Sequence, residues 1–208
     1  MKYDLIAFDW NGTIYDDIQK SVFSINKVLS HYGKKRLTVG QYRMHFTHPI
    51  IDYYKTIGLD DVFEEASKMF FEEFEKHTCH IFCVGFVQFF EKIKGKTRTC
   101  ILTAGRTNRV KRQKFLSKFP YACVEVYGLD DDNAVSKIEV AKRMKSDFSA
   151  KNILVIGDTL HDLECANAIG ADCLLVSTGH NSRERLKSRS NNVHSRLSAK
   201  LAESIIKS

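Results

Sequence analysis

Apolar and polar positions change their period twice along this chain. An apolar run of strand length, Tyr3-Asp4-Leu5-Ile6-Ala7-Phe8, comes first and breaks at Asn11-Gly12. A helical period then takes over: Ile18, Val22, Ile25, Val28 and Leu29 share one face up to His31, and Gly33 follows where a helix ends. Thr38 to Phe46 predicts a second helix with Thr38 as its cap. Pro49 to Ile57 predicts a third, opened by proline and closed by Gly58. Asp60 to His77 predicts a long fourth, with Phe63, Ala66, Phe70 and Phe74 on one side.

After Gly85 short apolar runs alternate with amphipathic stretches. The pattern predicts helix over Phe86 to Ile93, strand over Thr97 to Leu102 ending at Thr103-Ala104-Gly105, and helix over Asn108 to Phe119. It continues with strand over Tyr121 to Tyr127, helix over Ser136 to Lys145, and strand over Asn152 to Ile156 ending at Gly157-Asp158. Helix over Asp162 to Ile169, strand over Asp172 to Val176 and one last helix complete the chain. This alternation predicts an α/β fold: a Rossmann-like parallel sheet core with helices on both faces. Residues 1–15 and 81–208 would form that core, and residues 16–80 an inserted all-α cap over the sheet's ligand edge.

At 208 residues the chain can bury one good core, with or without a small appended domain. Its longest uncharged apolar run, Ile81 to Phe90, is too short to cross a bilayer, so no membrane partner is expected. Met1-Lys2 leads straight into the first strand without a cleavable signal, which predicts a cytoplasmic protein. Of six cysteines, Cys100, Cys123 and Cys173 lie in or beside strand-like runs and read as small hydrophobes. The cluster His77-Thr-Cys79-His80-Ile-Phe-Cys83 is too crowded for the spaced pairs of a structural zinc site and reads as a linker near a domain junction.

The net charge is +7, of which the stretch from Asn181 to Ser208 carries +5. Leu197, Leu201 and Ile205 recur there every four residues, so the basic residues read as the solvated face of a helix. No aromatic residues interleave to stack bases, which argues against a nucleic-acid partner. The oligomeric state stays open.

Four predicted strand ends offer polar groups to one edge: Asp9, Thr103, Lys137 after the third strand, and the pair Asp158 and Asp162. In parallel α/β sheets that edge binds ligands. Carboxylates so concentrated repel unless a cation sits among them, and hard oxygen donors with room for water and phosphate suit Mg²⁺. Lys137, the Thr103 hydroxyl and the backbone N–H groups of Ala104 and Gly105 would suit phosphate oxygens. Taken singly, Asp158 and Asp162 also read as helix caps and Lys137 as a surface lysine.

In this order the motifs Asp9-Trp-Asn11-Gly12-Thr13, Thr103, Lys137 and Gly157-Asp158-Thr-Leu-His-Asp162 resemble the haloacid dehalogenase-like hydrolase superfamily over nearly the whole chain. The long fourth motif, Gly157 to Ala171, is similar to the phosphoglycolate phosphatase branch, which carries a helical cap. The resemblance implies a phosphatase of a small phosphorylated metabolite in which Asp9 attacks phosphorus and an aspartyl-phosphate forms. It implies Mg²⁺ held by Asp9, the Asn11 carbonyl and Asp158, with Asp162 close behind, and non-bridging oxygens held by Thr103 and Lys137.

Position 11 departs from the pattern, since phosphatases of this family usually carry a second aspartate there as acid and base. An amide cannot exchange that proton, and losing such help costs roughly 10² to 10⁴ in rate. The implied alternatives are a slower phosphatase, a substrate that leaves without a proton, a substitute group such as Asp16, Asp17 or His161, or a phosphate-binding or regulatory protein with little turnover. Position 11 is not the tyrosine of the family's dehalogenases, which argues against dehalogenation. In the cap, His45, His48, Tyr53, Tyr54, Arg43 and Lys55 offer donors; the aromatics read first as core, and Arg43 and His48 are the candidates to face the site.

Overall fold

The structure, a computed structural model, describes residues 2–78, 80–121, 124–129 and 136–207. Its strands are β1 (Leu5–Phe8), β2 (Arg98–Arg106), β3 (Glu125–Leu129), β4 (Ile153–Gly157), β5 (Asp172–Val176) and β6 (Val193–His194). They form one parallel sheet ordered β3-β2-β1-β4-β5-β6. β1 and β4 are buried along their whole length because helices cover both faces, which is why they read as unbroken apolar runs. Ile6 and Phe8 enter a cluster with Phe86, Phe89 and Leu197 on one face, while Leu5 and Ala7 meet Val140, Ala141 and Met144 on the other.

The order in which strands are added reverses between β1 and β4, which are themselves parallel: β2 and β3 lie to one side, β5 and β6 to the other. The crevice beyond the carboxyl ends at such a reversal is where open α/β sheets place ligands. Asp9 follows β1 and Asp158 follows β4, and the pairing of Phe8 with Ile156 sets the two aspartates side by side.

The inserted block holds α1 (Ile18–His31), α2 (Val39–His45), α3 (Ile50–Thr56), a 3-10 turn at Asp60–Val62 and α4 (Phe63–Glu75). Thr38 caps α2 as expected, in a reciprocal box with Gln41. The block keeps its own apolar cluster, built on Ile25, Leu29, Tyr42, Tyr53 and Leu59. Its entry and exit strands bond to each other, Asp16 N–H to the Ile81 carbonyl (3.0 Å) and Cys83 N–H to the Ile14 carbonyl (2.8 Å).

The sheet helices are α5 (Phe86–Ile93), α6 (Thr107–Leu116), α7 (Lys137–Phe148), α8 (Leu160–Ala168), α9 (Arg183–Lys187) and α10 (Ala199–Lys207). Four expectations change. The third strand, expected over Tyr121 to Tyr127, runs over Glu125–Leu129. The tail is not one helix but α9, the two-residue β6 and α10, because Leu175 and Val176 of β5 pair with Val193 and His194. β2 runs on through Thr103-Ala104-Gly105 to Arg106, with a register shift against β3 in that stretch. The helix expected over Asp60 to His77 starts with the 3-10 turn and stops at Glu75.

Cys79, Ala122 and Cys123 lie outside the described residues. Cys83, Cys100 and Cys165 are buried free thiols. Among the described residues, no helix is long and apolar enough to cross a membrane.

Candidate active site

Three of the four expected strand ends deliver charged side chains to one point. Lys137 Nζ donates to Asp9 Oδ1 at 2.6 Å and to Asp162 Oδ1 at 2.5 Å. Lys137 is the first residue of α7, started by Ser136, whose hydroxyl accepts from the Glu139 N–H. It is no surface lysine, being only 3% exposed. Asp158, with no exposed surface, accepts from the Thr13 hydroxyl at 3.0 Å and from the His180 N–H at 2.6 Å.

Asp9, Asp158 and Asp162 each bring one carboxylate oxygen within 4.8 Å of the others; among the described residues, which leave out Cys79 of the 77–83 cluster, this is the grouping able to hold a metal ion.

The electrostatics divide these carboxylates. Burial opposes ionisation of Asp162, but Lys137 and the Thr159 hydroxyl and N–H override it and hold its carboxyl below the usual range. Burial pushes Asp9 up to about 8 despite Lys137, with Asp162 and Asp158 adding repulsion. Burial likewise pushes Asp158 up to about 6, against the pull of His180. Lys137 is raised: burial works against its charge, and Asp162 and Asp9 outweigh it.

Asp9 and Asp158 are therefore carboxylates short of positive charge. Asp162 has both oxygens committed, one to Lys137 and the other to Thr159, and acts here as the anchor of the lysine. No donor among the described residues reaches the Asn11 backbone carbonyl. Two hard carboxylates in need of a cation fit a hard dication, and the Asn11 carbonyl, two residues on from Asp9, is a further hard oxygen.

Glycines make the packing possible. A Cβ on Gly12, which adopts φ +72°, would overlap the Asp158 carboxylate and the Gly179 backbone. One on Gly157 would overlap the Asp162 carboxylate.

Thr103 is buried beyond the end of the β1–β2 pairing, at the same edge as Asp9. Its hydroxyl oxygen accepts from the Gly105 N–H at 3.0 Å, so that N–H points at Thr103 and the hydroxyl proton stays available. Ala104 stands half-buried between them.

A second buried cluster was not foreseen in the sequence. Asn11 Nδ2 donates to Asp17 Oδ2 at 2.8 Å, and Asp17 Oδ1 accepts from the Gly12 N–H at 3.0 Å and meets His180 Nε2 at 3.2 Å. His180 Nδ1 lies 2.9 Å from the Tyr42 hydroxyl of α2. Burial works against both charges of the pair, yet His180 lowers Asp17 below its usual range, and Asp17 raises His180 to about 9.

Asp17 precedes α1 without capping it, because its carboxylate is turned to these partners. The segment 177–181 follows β5, so the strand-end rule that found Asp9 and Asp158 would have found His180 had it been applied to the fifth strand.

Of the two cap candidates for the site, Arg43 binds the Gly179 and Thr178 carbonyls and so clamps cap to core. His48 lines a cavity at the cap–core seam, together with His161. Asp16 is half-buried and its carboxyl is raised, chiefly by burial.

The sequence model of haloacid dehalogenase-like hydrolases matches residues 6–176. Solved structures share the fold at low identity. A haloacid dehalogenase-like hydrolase family protein of Streptococcus pneumoniae is 15% identical with a TM-score of 0.83, over 99% of this chain and 98% of its own. A protein of Haemophilus somnus described as a predicted phosphoglycolate phosphatase is 15% identical with a TM-score of 0.78, over 99% of both chains. Protein Tyrosine Kinase A of Mycobacterium tuberculosis is 19% identical with a TM-score of 0.79, over 98% of both. Among curated proteins none matches this chain in sequence.

Proposed function

This chain belongs to the haloacid dehalogenase-like hydrolase family, and from that premise we propose that it is a Mg²⁺-dependent phosphohydrolase acting on a small phosphorylated metabolite. The observation that carries this reading is Lys137 spanning Asp9 and Asp162 beside a third buried carboxylate, Asp158. A structural ion-pair network would leave its carboxylates satisfied, whereas burial here leaves Asp9 and Asp158 raised.

Asp9, Asp158 and the Asn11 carbonyl are the groups that would hold Mg²⁺, which when bound neutralises charge between nucleophile and phosphoryl oxygens. Lys137 fixes Asp9 Oδ1, leaving Oδ2 to attack phosphorus. The new bond is an aspartyl-phosphate; the P–O bond to the alcohol breaks, and water then attacks the acyl phosphate and frees Asp9. Lys137 and the Thr103 hydroxyl stabilise the non-bridging oxygens as charge builds on them.

Asn11 favours a second reading, a phosphate-binding or regulatory protein of low turnover. Its amide is spent as a donor to Asp17 and has no proton to give a leaving group. Hydrolysis of p-nitrophenyl phosphate with and without Mg²⁺, with Asp9→Asn as control, decides between them. Mg²⁺-dependent turnover lost in the variant supports the phosphohydrolase. Saturable phosphate binding without turnover supports the second reading.

A further inference from the structure

Where α6 passes the outermost strand of the sheet it leaves a groove lined by Lys111, Lys114, Phe115, Lys118, Glu125 and Val126, among others. One side of α6 is fixed on the core: Val110 and Gln113 are buried, and the Trp10 indole N–H donates to Gln113 Oε1 at 2.8 Å. Lys111, Lys114 and Phe115, three and four positions apart, share a different side, and Lys118 extends that row past the helix end. Phe115 is 82% exposed.

The facing wall is β3. It ends the sheet, with β2 on its inner side and no strand on its outer side among the described residues. Successive residues of a strand point to opposite faces, so a groove touching Glu125, Val126 and Tyr127 together follows that outer edge. Lys114 Nζ donates to the Val124 carbonyl at 2.6 Å and still brings its charge to the groove. Glu125 is the one acid on the lining, and the Tyr127 hydroxyl donates to it at 3.4 Å. Three lysines against one glutamate leave the groove positive.

Lysines alone would read as guards that keep an open edge from pairing with another chain. An exposed phenylalanine among them, beside Val126, works the other way and offers an apolar foothold. We propose that this groove takes an extended acidic segment of a partner protein. The segment adds as a strand beside β3, rests an apolar side chain on Phe115 and Val126, and answers Lys111, Lys114 and Lys118 with carboxylates. A nucleic acid brings phosphates but no ladder of N–H and C=O groups to a strand edge, and a bilayer surface brings none either. A second copy of this chain would set the lysines against their like. Glu125 pairs with Cys100 near the start of β2, whereas Asp9 and Thr103 lie at the carboxyl ends. The groove thus lies toward the end of the sheet away from the carboxylates, and the inference stands apart from the phosphohydrolase reading.

The probe is a fluorescent peptide alternating glutamate and valine, titrated against the full chain by anisotropy. Saturable binding is expected, weakened at least tenfold in Phe115→Ala and in Lys111→Glu combined with Lys118→Glu, with melting temperatures unchanged. On the unaltered protein, N-methylation of every peptide amide should also cost at least tenfold, and β3 amides should exchange hydrogen more slowly in the complex. Absence of saturable binding overturns the proposal, as does binding indifferent to N-methylation or to Phe115→Ala. Tighter binding of single-stranded DNA or of phosphatidylserine vesicles, lost in the same lysine variant, overturns it in favour of those ligands. A dimer in sedimentation that Phe115→Ala dissociates overturns it in favour of a second copy.

Discussion

Two buried acid–base clusters share the crevice, and they differ in whether their charges are met. Around Asp17, one carboxylate faces His180, the Asn11 amide and the Gly12 N–H, and it is held ionised. Around Asp9, two carboxylates share a single lysine and a third, Asp158, lies beside them with only His180 pulling on it, and Asp9 and Asp158 are raised. Equal burial thus yields one cluster that is complete and one that is short of a cation. The complete one fastens the cap to the core through Tyr42, and the deficient one is where a cation and a phosphoryl group would be accepted.

The sharpest separation comes from Asp9→Asn. Turnover should fall roughly 10⁴-fold or more, the scale of losing a nucleophile. The same change should raise the melting temperature of the metal-free protein, because a carboxyl whose pKa is raised destabilises the fold wherever it is forced to ionise. Mg²⁺ should stabilise wild type and stabilise this variant far less; a melting temperature lowered without metal breaks the comparison.

Next in size is Asp17→Asn, which strands a protonated His180 in the interior. A loss of about 3 to 5 kcal/mol in urea unfolding is expected, the scale of breaking a buried pair on one side. A loss below about 1 kcal/mol would mean the cluster is not the fastening described.

Position 11 gives a smaller effect with an order-dependent sign. Asn11→Asp alone sets a second carboxylate against Asp17, where the amide now donates at 2.8 Å, so it should gain little turnover. Asn11→Asp combined with Asp17→Asn transposes donor and acceptor and should gain roughly 10²-fold, the lower range for general acid–base help. Equal gains in the single and double variants would show that the two positions do not couple.

The smallest effect is a pH dependence. His180, raised to about 9 from an ordinary value near 6.5, contributes stability that is fully present below 6.5 and lost as pH rises through 9. The stability gap between wild type and His180→Gln should therefore be widest near pH 6 and narrow towards pH 9. A gap that stays constant over this window would show that His180 is neutral in the folded protein.

Much of this was legible in the sequence because it is local. The α1 limits Ile18 and His31 and the α5 limits Phe86 and Ile93 follow from apolar spacing alone. The positions of Asp9, Lys137, Asp158 and Asp162 follow from strand ends in an alternating pattern. β6 was not legible, because two residues carry no period and Val193 is buried only through distant partners, among them Leu175 of β5 and Leu186 of α9. The bond from His180 to Asp17 spans 163 residues and has no local trace. Arg43 illustrates the converse: its donors were evident, but not that they would meet the Gly179 and Thr178 carbonyls.

The paired bonds between Asp16 and Ile81 and between Ile14 and Cys83 have a mechanical consequence. Both tethers of the helical block are zipped into one narrow ribbon, so that block cannot drift away from the sheet in an arbitrary direction. The two crossings act as one seam, as stitches on a single hem do. Arg43, gripping two carbonyls of the segment after β5, is with Tyr42, Asn181 and Arg185 a second fastening remote in sequence from that ribbon, so cutting either one leaves the block tied by the other.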